Sequence, residues 1–353
     1  MRKTAAIAIG AISMLALAGC AGGTDSGSGD GAESTELNIY AWAGEVPDAV
    51  VEAFEEETGI KVTLDTFDSN ETMISKLASG NTGYDIVEPS QYAVQLLIGQ
   101  ELIEPIDYDR IEGLDNVQEK FLDPSYDPDN KYSVPWIWGS TGLLYNIDCT
   151  GEELTSWKSM FDEKYKGKIY MLDNMLASYI VGLQVNGYPA DSTDEAEIKA
   201  ATESLLEQKP LLAGYNSTNY ADLVASGEAC MSLAWGGATV GKALEENPSL
   251  RYILPEEGGT LWTDNFSIAK GAPHVDAAYK WLNFSLKAET GALATEHGVA
   301  TTNGAALELI SEEMLNNPAI FAPAEQTANA DFIVDPGEAM RWFQDGWTRV
   351  KAS

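Results

Sequence analysis

Two hydrophobic periods take turns along the first hundred positions after the leader. Leu37 to Trp42 is apolar enough on both faces to read as a strand. Pro47 then opens a helix whose Ala49, Val50, Ala53 and Phe54 share one face until Gly59 stops it. IKVTLDTF alternates as a second strand, and Ser69 and Asn70 offer a cap for a helix carrying Met73 and Leu77. YDIVEPS reads as a third strand ended by Pro89, with QYAVQLLIGQELI as the helix after it. Strand and helix in alternation predict an α/β fold with mostly parallel sheets and right-handed crossovers. Ligands of such sheets gather beyond the carboxyl ends of the strands, which points to Trp42, Ala43, Gly44 and Glu45 at one end and Ser90 and Tyr92 at another. SVPWIWGSTGLLYN is extended, a mixed region runs to about Gly259, and the tail from Ala277 is helical. Trp281, Trp342 and Trp347 in that tail are expected in the core.

The amino terminus reads as an address. Arg2 and Lys3 precede an apolar run from Ala5 to Ala18 that ends in LALAGC, the pattern of a lipoprotein signal over residues 1–19 with Cys20 as the lipidation site. The run is shorter than the roughly 18 apolar residues a membrane span needs. Residues 20–36, rich in Gly, Ser and acid, suit a flexible tether. The protein is therefore expected to be exported, lipid-anchored on the outer face of the cytoplasmic membrane or facing the periplasm, and to meet the membrane only through its lipid. In such a compartment Cys149 and Cys230 either pair or serve as small buried hydrophobes.

Charge narrows the partners. The 353 residues hold 21 basic and 55 acidic side chains, a formal charge of −34 that repels nucleic acid and anionic membranes. It leaves two readings, a cationic ligand or a solvated acidic surface. At about 150 residues per domain the length predicts two domains. His274 and His297 are the only histidines, too few and too isolated for a zinc site or a His-based triad, so neither metal nor cofactor is expected. DPSYDPDNKY lacks the glycine and final Glu of a calcium loop and reads as a turn-rich surface loop. GGATVGKA has the glycine–lysine spacing of a phosphate-binding loop, but Ala243 stands where a magnesium-binding Ser or Thr belongs, so a plain strand-to-helix turn is expected.

Trp42, Trp136, Trp138, Trp235 and Trp262 sit on extended segments, and Asp264 follows the last of them by two residues. An indole face beside a carboxylate suits an ammonium group, each cation–π contact supplying about 0.5 to 2 kcal/mol. A methylene chain between rings adds roughly 0.8 kcal/mol per buried CH₂. Polyamines combine both features, although sugars also stack on tryptophan.

With those residues in place, the chain resembles the spermidine/putrescine-binding proteins of bacterial polyamine ABC importers. The similarity is clearest in LNIYAWAGEVPDAVVEAFEEETGIKV, DSNETMISKL, YDIVEPSQY, KYSVPWIWGSTGLLYN, YKGKIYMLDN, CMSLAWGGA and GGTLWTDNFSIAKGA. The resemblance implies a type II periplasmic-binding-protein fold of two α/β lobes with a hinged cleft, residues 37–139 plus 263–307 in one lobe and 140–262 plus 308–353 in the other. It implies a non-enzymatic, monomeric receptor that delivers a putrescine-like or spermidine-like cationic amine to a membrane permease and its ATPase subunits. Matched ligand positions are Trp42, Ser90, Tyr92, Ser217, Trp235, Trp262 and Asp264. Other positions depart: Asn174 and Ala177 replace two family carboxylates, Glu45 and Val299 replace tyrosines, and Ile333 replaces a glutamine. Glu45, and Glu88 if it faces inward rather than solvent, are the acids that offset the loss. The departures favour an amine with fewer positive centres than spermidine, such as a diamine. The alternatives are the same scaffold tuned to another nitrogenous or neutral solute, and a secreted carbohydrate-active enzyme using Glu45 with Asp264.

Overall fold

The protein was analysed as a computed structural model, which describes residues 34–327 and 330–353. The signal segment, Cys20 and the tether up to residue 33 lie outside the described residues.

The expected alternation is present. Strand β1 (Glu36–Trp42) leads into a helix over Asp48–Thr58, entered at Pro47 and stopped at Gly59, whose φ of 71° is the left-handed conformation that glycine adopts without cost. β2 (Lys61–Phe67) is followed by a helix over Asn70–Ala78, where the Ser69 side chain accepts the Thr72 N–H at 3.2 Å. The third strand, β3, is only Ile86–Val87, and the helix Gln91–Gly99 follows it. Then comes the long β4 (Val134–Asn146). The second half adds β5 (Ile169–Met171), β6 (Leu212–Tyr215), β7 (Met231–Trp235), β8 (Leu250–Ile253), β9 (Thr260–Ile268), β10 (Ala300–Thr301) and β11 (Asp331–Phe332).

Strand order is β2-β1-β3-β9-β4-β7-β5-β6, with β8 and β10 paired to β4 and β11 to β9. The outer pairs β1–β2, β1–β3, β5–β6 and β5–β7 are parallel, as crossover helices require. The middle is antiparallel, because β4 and β9 traverse the molecule in opposite directions and pair along most of their length. Gly139 stands directly opposite Trp262, and Trp138 opposite Thr263.

β4 belongs to two separate cores. Val134, Trp136, Ile137 and Trp138 join β1 and the helices Asp48–Thr58 and Val275–Ser285 in one. Leu143, Leu144 and Tyr145 join β5, β7 and the helices Met175–Gln184, Glu195–Gln208 and Met340–Ala352 in the other. A smaller cluster around Tyr40, Phe67, Val87 and Val94 packs beneath the carboxyl ends of β1 and β3. Cys149 and Cys230 form a disulfide within the second region.

Two expectations change. The loop around Asp127 is not a simple surface loop, since Tyr126, Asp127 and Asn130 are buried. The Asp127 carboxylate accepts bonds from the Tyr132 N–H and the Ser133 hydroxyl, and this closes the loop on itself. Trp136 and Trp138 are also buried, because β4 is covered on both faces. The glycine–lysine segment is a strand-to-helix turn: Gly237 donates to the Ala319 carbonyl at 2.6 Å, and Lys242 is exposed beside Glu246.

Candidate functional site

Three carboxyl groups converge where β1, β3 and β9 lie side by side. Tyr40 pairs with Val87, so the next residues on each strand, up to Trp42 and Glu88, emerge together. Glu88 donates its N–H to the Tyr40 carbonyl at 3.0 Å, while its Oε2 accepts the Trp42 N–H at 3.0 Å. Two residues on, Ser90 bridges to Asp264 of β9, and the Ser90 hydroxyl donates to Asp264 Oδ1 at 2.6 Å. Ser90 thus begins the helix Gln91–Gly99 without capping it with its side chain, which is spent on the carboxylate. Glu45 comes from the turn after β1, where Gly44 takes a φ of 91°. The Glu45 carbonyl accepts the Trp136 indole N–H at 3.2 Å, and this fixes the turn above the core.

These carboxyls are enclosed and repel one another. Glu88 is fully buried and Asp264 is 5 % exposed. Burial, reinforced by the Asp264 charge, pushes Glu45 up to about 8. Burial raises Glu88 well above the usual carboxylate range, with the Asp264 and Glu45 charges adding to it and the Trp42 N–H opposing it. Asp264 is pushed up to about 7 by burial, against the pull of the Ser90 hydroxyl. No lysine or arginine pairs with any of the three among the described residues. Glu45 Oε2 and Glu88 Oε1 are buried without a hydrogen-bond partner. A buried acceptor left unmade costs about 1 to 3 kcal/mol, and more when charged, so two in one cluster mark a place built to receive donors.

Aromatic rings wall this cluster. Trp42 packs against Phe67 with centroids 4.8 Å apart, its buried indole N–H faces the Asp264 carboxyl and joins the Ser90 hydroxyl in opposing the rise that burial causes there, and the Trp262 indole nitrogen is buried and unpartnered. Trp262 lies flat over Gly139, where an added Cβ would fall 2.2 Å from the ring. From the other core, Trp235 at the end of β7 meets Tyr220 edge-on at 6.4 Å, and the Tyr220 hydroxyl donates to the Trp235 carbonyl at 3.1 Å. Burial, then the Tyr252 phenol and the Glu45 charge, raise the Tyr220 phenol. Tyr92 is half-buried beside the acids, its phenol raised chiefly by burial and by the Glu71 charge. Ser217 Oγ is buried and unpartnered.

The remaining expected positions sit differently. Asn174 caps the helix Met175–Gln184, its Oδ1 accepting the Ala177 N–H at 2.9 Å. Ala177 is buried in the second core, Val299 is 3 % exposed within the first, and Ile333 is half-buried beside the second. Gln91 was not foreseen. It is buried, its Oε1 accepts the Thr263 N–H at 3.0 Å and its Nε2 donates to the Ile333 carbonyl at 3.0 Å, so it ties β9 to the carboxyl-terminal segment beside the cleft. A glutamine at the start of an otherwise apolar helix was the only signal for it.

Comparison with known proteins places this geometry. Residues 49–322 match the family of bacterial extracellular solute-binding proteins. A spermidine/putrescine-binding periplasmic protein of Salmonella typhimurium is 32% identical over 323 residues, covering 91% of this chain and 92% of its own length. A putrescine-binding periplasmic protein of Escherichia coli is 31% identical over 342 residues, covering 91% of this chain and 92% of its own. The solved structure of a putative spermidine/putrescine ABC transporter protein from Listeria monocytogenes superposes with a TM-score of 0.84 at 32% identity, over 90% of this chain and 99% of that one.

Proposed function

The chain belongs to the bacterial extracellular solute-binding protein family, and from that premise we propose that it captures a polyamine or related cationic amine between two lobes and delivers it to a membrane ABC permease. The observation that carries this reading is the cluster of buried Glu88 and Asp264 with half-buried Glu45 beside Trp42 and Trp262, to which no lysine or arginine among the described residues is paired. An ammonium group supplies what the cluster lacks. It donates to the orphaned oxygens, offsets the mutual repulsion and lays its methylenes against indole faces.

In this reading residues 37–139 and 263–307 form one lobe and 140–262 and 308–353 the other. Their crossing strands pair at Gly139 and Trp262, beside the cluster. Burying like charges opposes closure, so the ligand's charge favours the closed arrangement, and that shape is what the permease and its ATPase subunits recognise. Cys20 anchors the receptor to the outer face of the cytoplasmic membrane. Capture and release involve no covalent step.

Asp264 is the acid that Ser90 aligns, and a hydrogen bond to a charged group contributes about 1.5 to 3 kcal/mol. In calorimetric titration with putrescine and spermidine at pH 8, Asp264→Asn is expected to weaken binding by more than tenfold. Equal affinities for the variant and the unchanged protein would refute the assignment.

A further inference from the structure

The negative charge of the cleft is gathered at one end. Glu45, Glu88 and Asp264 all come from the β1–β3–β9 side. The opposite side offers nothing comparable. Asn174 is uncharged and its side-chain oxygen is occupied by the Ala177 N–H. Ser217 contributes a neutral hydroxyl. Asp173, next to Asn174, is exposed and ion-paired with Lys351 at 2.7 Å. The link from Gln91 to Ile333 shows where this far side begins, since Ile333 and Val334 share a small pocket with Leu176 on the helix that Asn174 caps. Of the acids around that pocket, Asp191 is exposed, Glu197 accepts the Ser192 hydroxyl at 2.5 Å, and the Asp335 carboxylate accepts the Gly337 N–H at 3.0 Å.

Resting on the amine-receptor reading above, we propose that the solute carries one compact cationic head, an ammonium or guanidinium group, and an uncharged far end. The head sits among Glu45, Glu88 and Asp264, and the tail runs past Trp235 toward Ser217 and Asn174. Glu88 sets this polarity. Its Oε2 is fixed by the Trp42 N–H, leaving Oε1 free for the head. A second ammonium at the far end would be desolvated without a carboxylate to meet it, which is unfavourable. A masked amine loses nothing there and donates to Ser217 through its amide.

The test is calorimetric titration of the folded full chain with putrescine, N-acetylputrescine and N-acetylagmatine. The expected result is that at least one acetylated compound binds as tightly as putrescine or more tightly, the two separating an ammonium head from a guanidinium head. Glu88→Gln is expected to weaken the preferred acetylated compound by more than tenfold, and Asn174→Asp to shift preference toward putrescine by more than tenfold. Putrescine binding more tightly than both acetylated compounds would overturn the one-ended site while leaving the amine reading intact. Failure of all three to bind would overturn the one-ended site, and failure of spermidine as well would defeat the amine reading itself.

Discussion

A carboxyl group buried without a counter-charge keeps its proton to higher pH, and this gives the site its pH signature. Glu45 and Asp264 are pushed up to about 8 and about 7, and Glu88 is raised as well, chiefly by burial. An ammonium ligand favours the ionised forms, so binding expels protons and affinity is expected to fall as pH drops from about 8.5 to 6. Titrations in buffers of different ionisation enthalpy should show net proton release at pH 7; proton uptake would contradict the cluster. Stability of the ligand-free protein runs the other way. These groups bind protons in the folded chain that the unfolded chain has already released above about pH 4, so their contribution is full below that pH and is lost as pH rises to about 8. A melting temperature that falls over this window and is restored by ligand is the expected pattern, and Glu88→Gln should flatten it.

At the level of elements, the sequence carried the order of strands and helices because caps and stops there are local. Pro47, Gly59 and Ser69 act within one turn of their own position. Trp42, Ser90 and Tyr92 were legible because carboxyl ends of strands are where such sheets bind ligands, whereas Trp262 and Asp264, which lie within β9, were legible as an indole two residues from a carboxylate and through the family resemblance. Glu88 was ambiguous for a physical reason. In β3 and its flanks, Asp85, Ile86, Val87 and Glu88 are all buried, so a two-residue period carries no information about exposure. The same argument explains Trp136 and Trp138, since every residue of β4 is buried and an extended tryptophan there need not line a site. Antiparallel pairing of β4 with β9 was invisible because it joins segments more than a hundred residues apart. That pairing makes its own prediction. Gly139 leaves room for the Trp262 ring, and Gly139→Ala would place a Cβ 2.2 Å from it, so the indole must move. Ligand affinity is expected to fall at least tenfold while far-ultraviolet circular dichroism stays unchanged. Unaltered affinity would show that Trp262 does not need this seat.

Across the whole molecule, two cores share β4 and are joined by few elements, while the Cys149–Cys230 bond lies entirely within the second region and closes a span of 81 residues. Chain-entropy arguments put the stabilisation from such a loop at about 4.5 kcal/mol. Reduction, or Cys149→Ser with Cys230→Ser, is expected to lower the denaturant midpoint yet leave amine affinity in the folded protein within threefold, since neither cysteine touches the acid cluster. A large loss of affinity in the folded double variant would tie the bond to the cleft. The formal charge of −34 attracts cations over the whole surface, so only the buried acids can supply selectivity. The decisive measurement is therefore isothermal titration of putrescine, N-acetylputrescine and spermidine into the protein and into the triple variant Glu45→Gln, Glu88→Gln, Asp264→Asn at physiological salt. Saturable one-to-one binding of at least one amine by the protein, absent from the folded triple variant, is the predicted result, whereas undiminished binding by the variant would contradict the account.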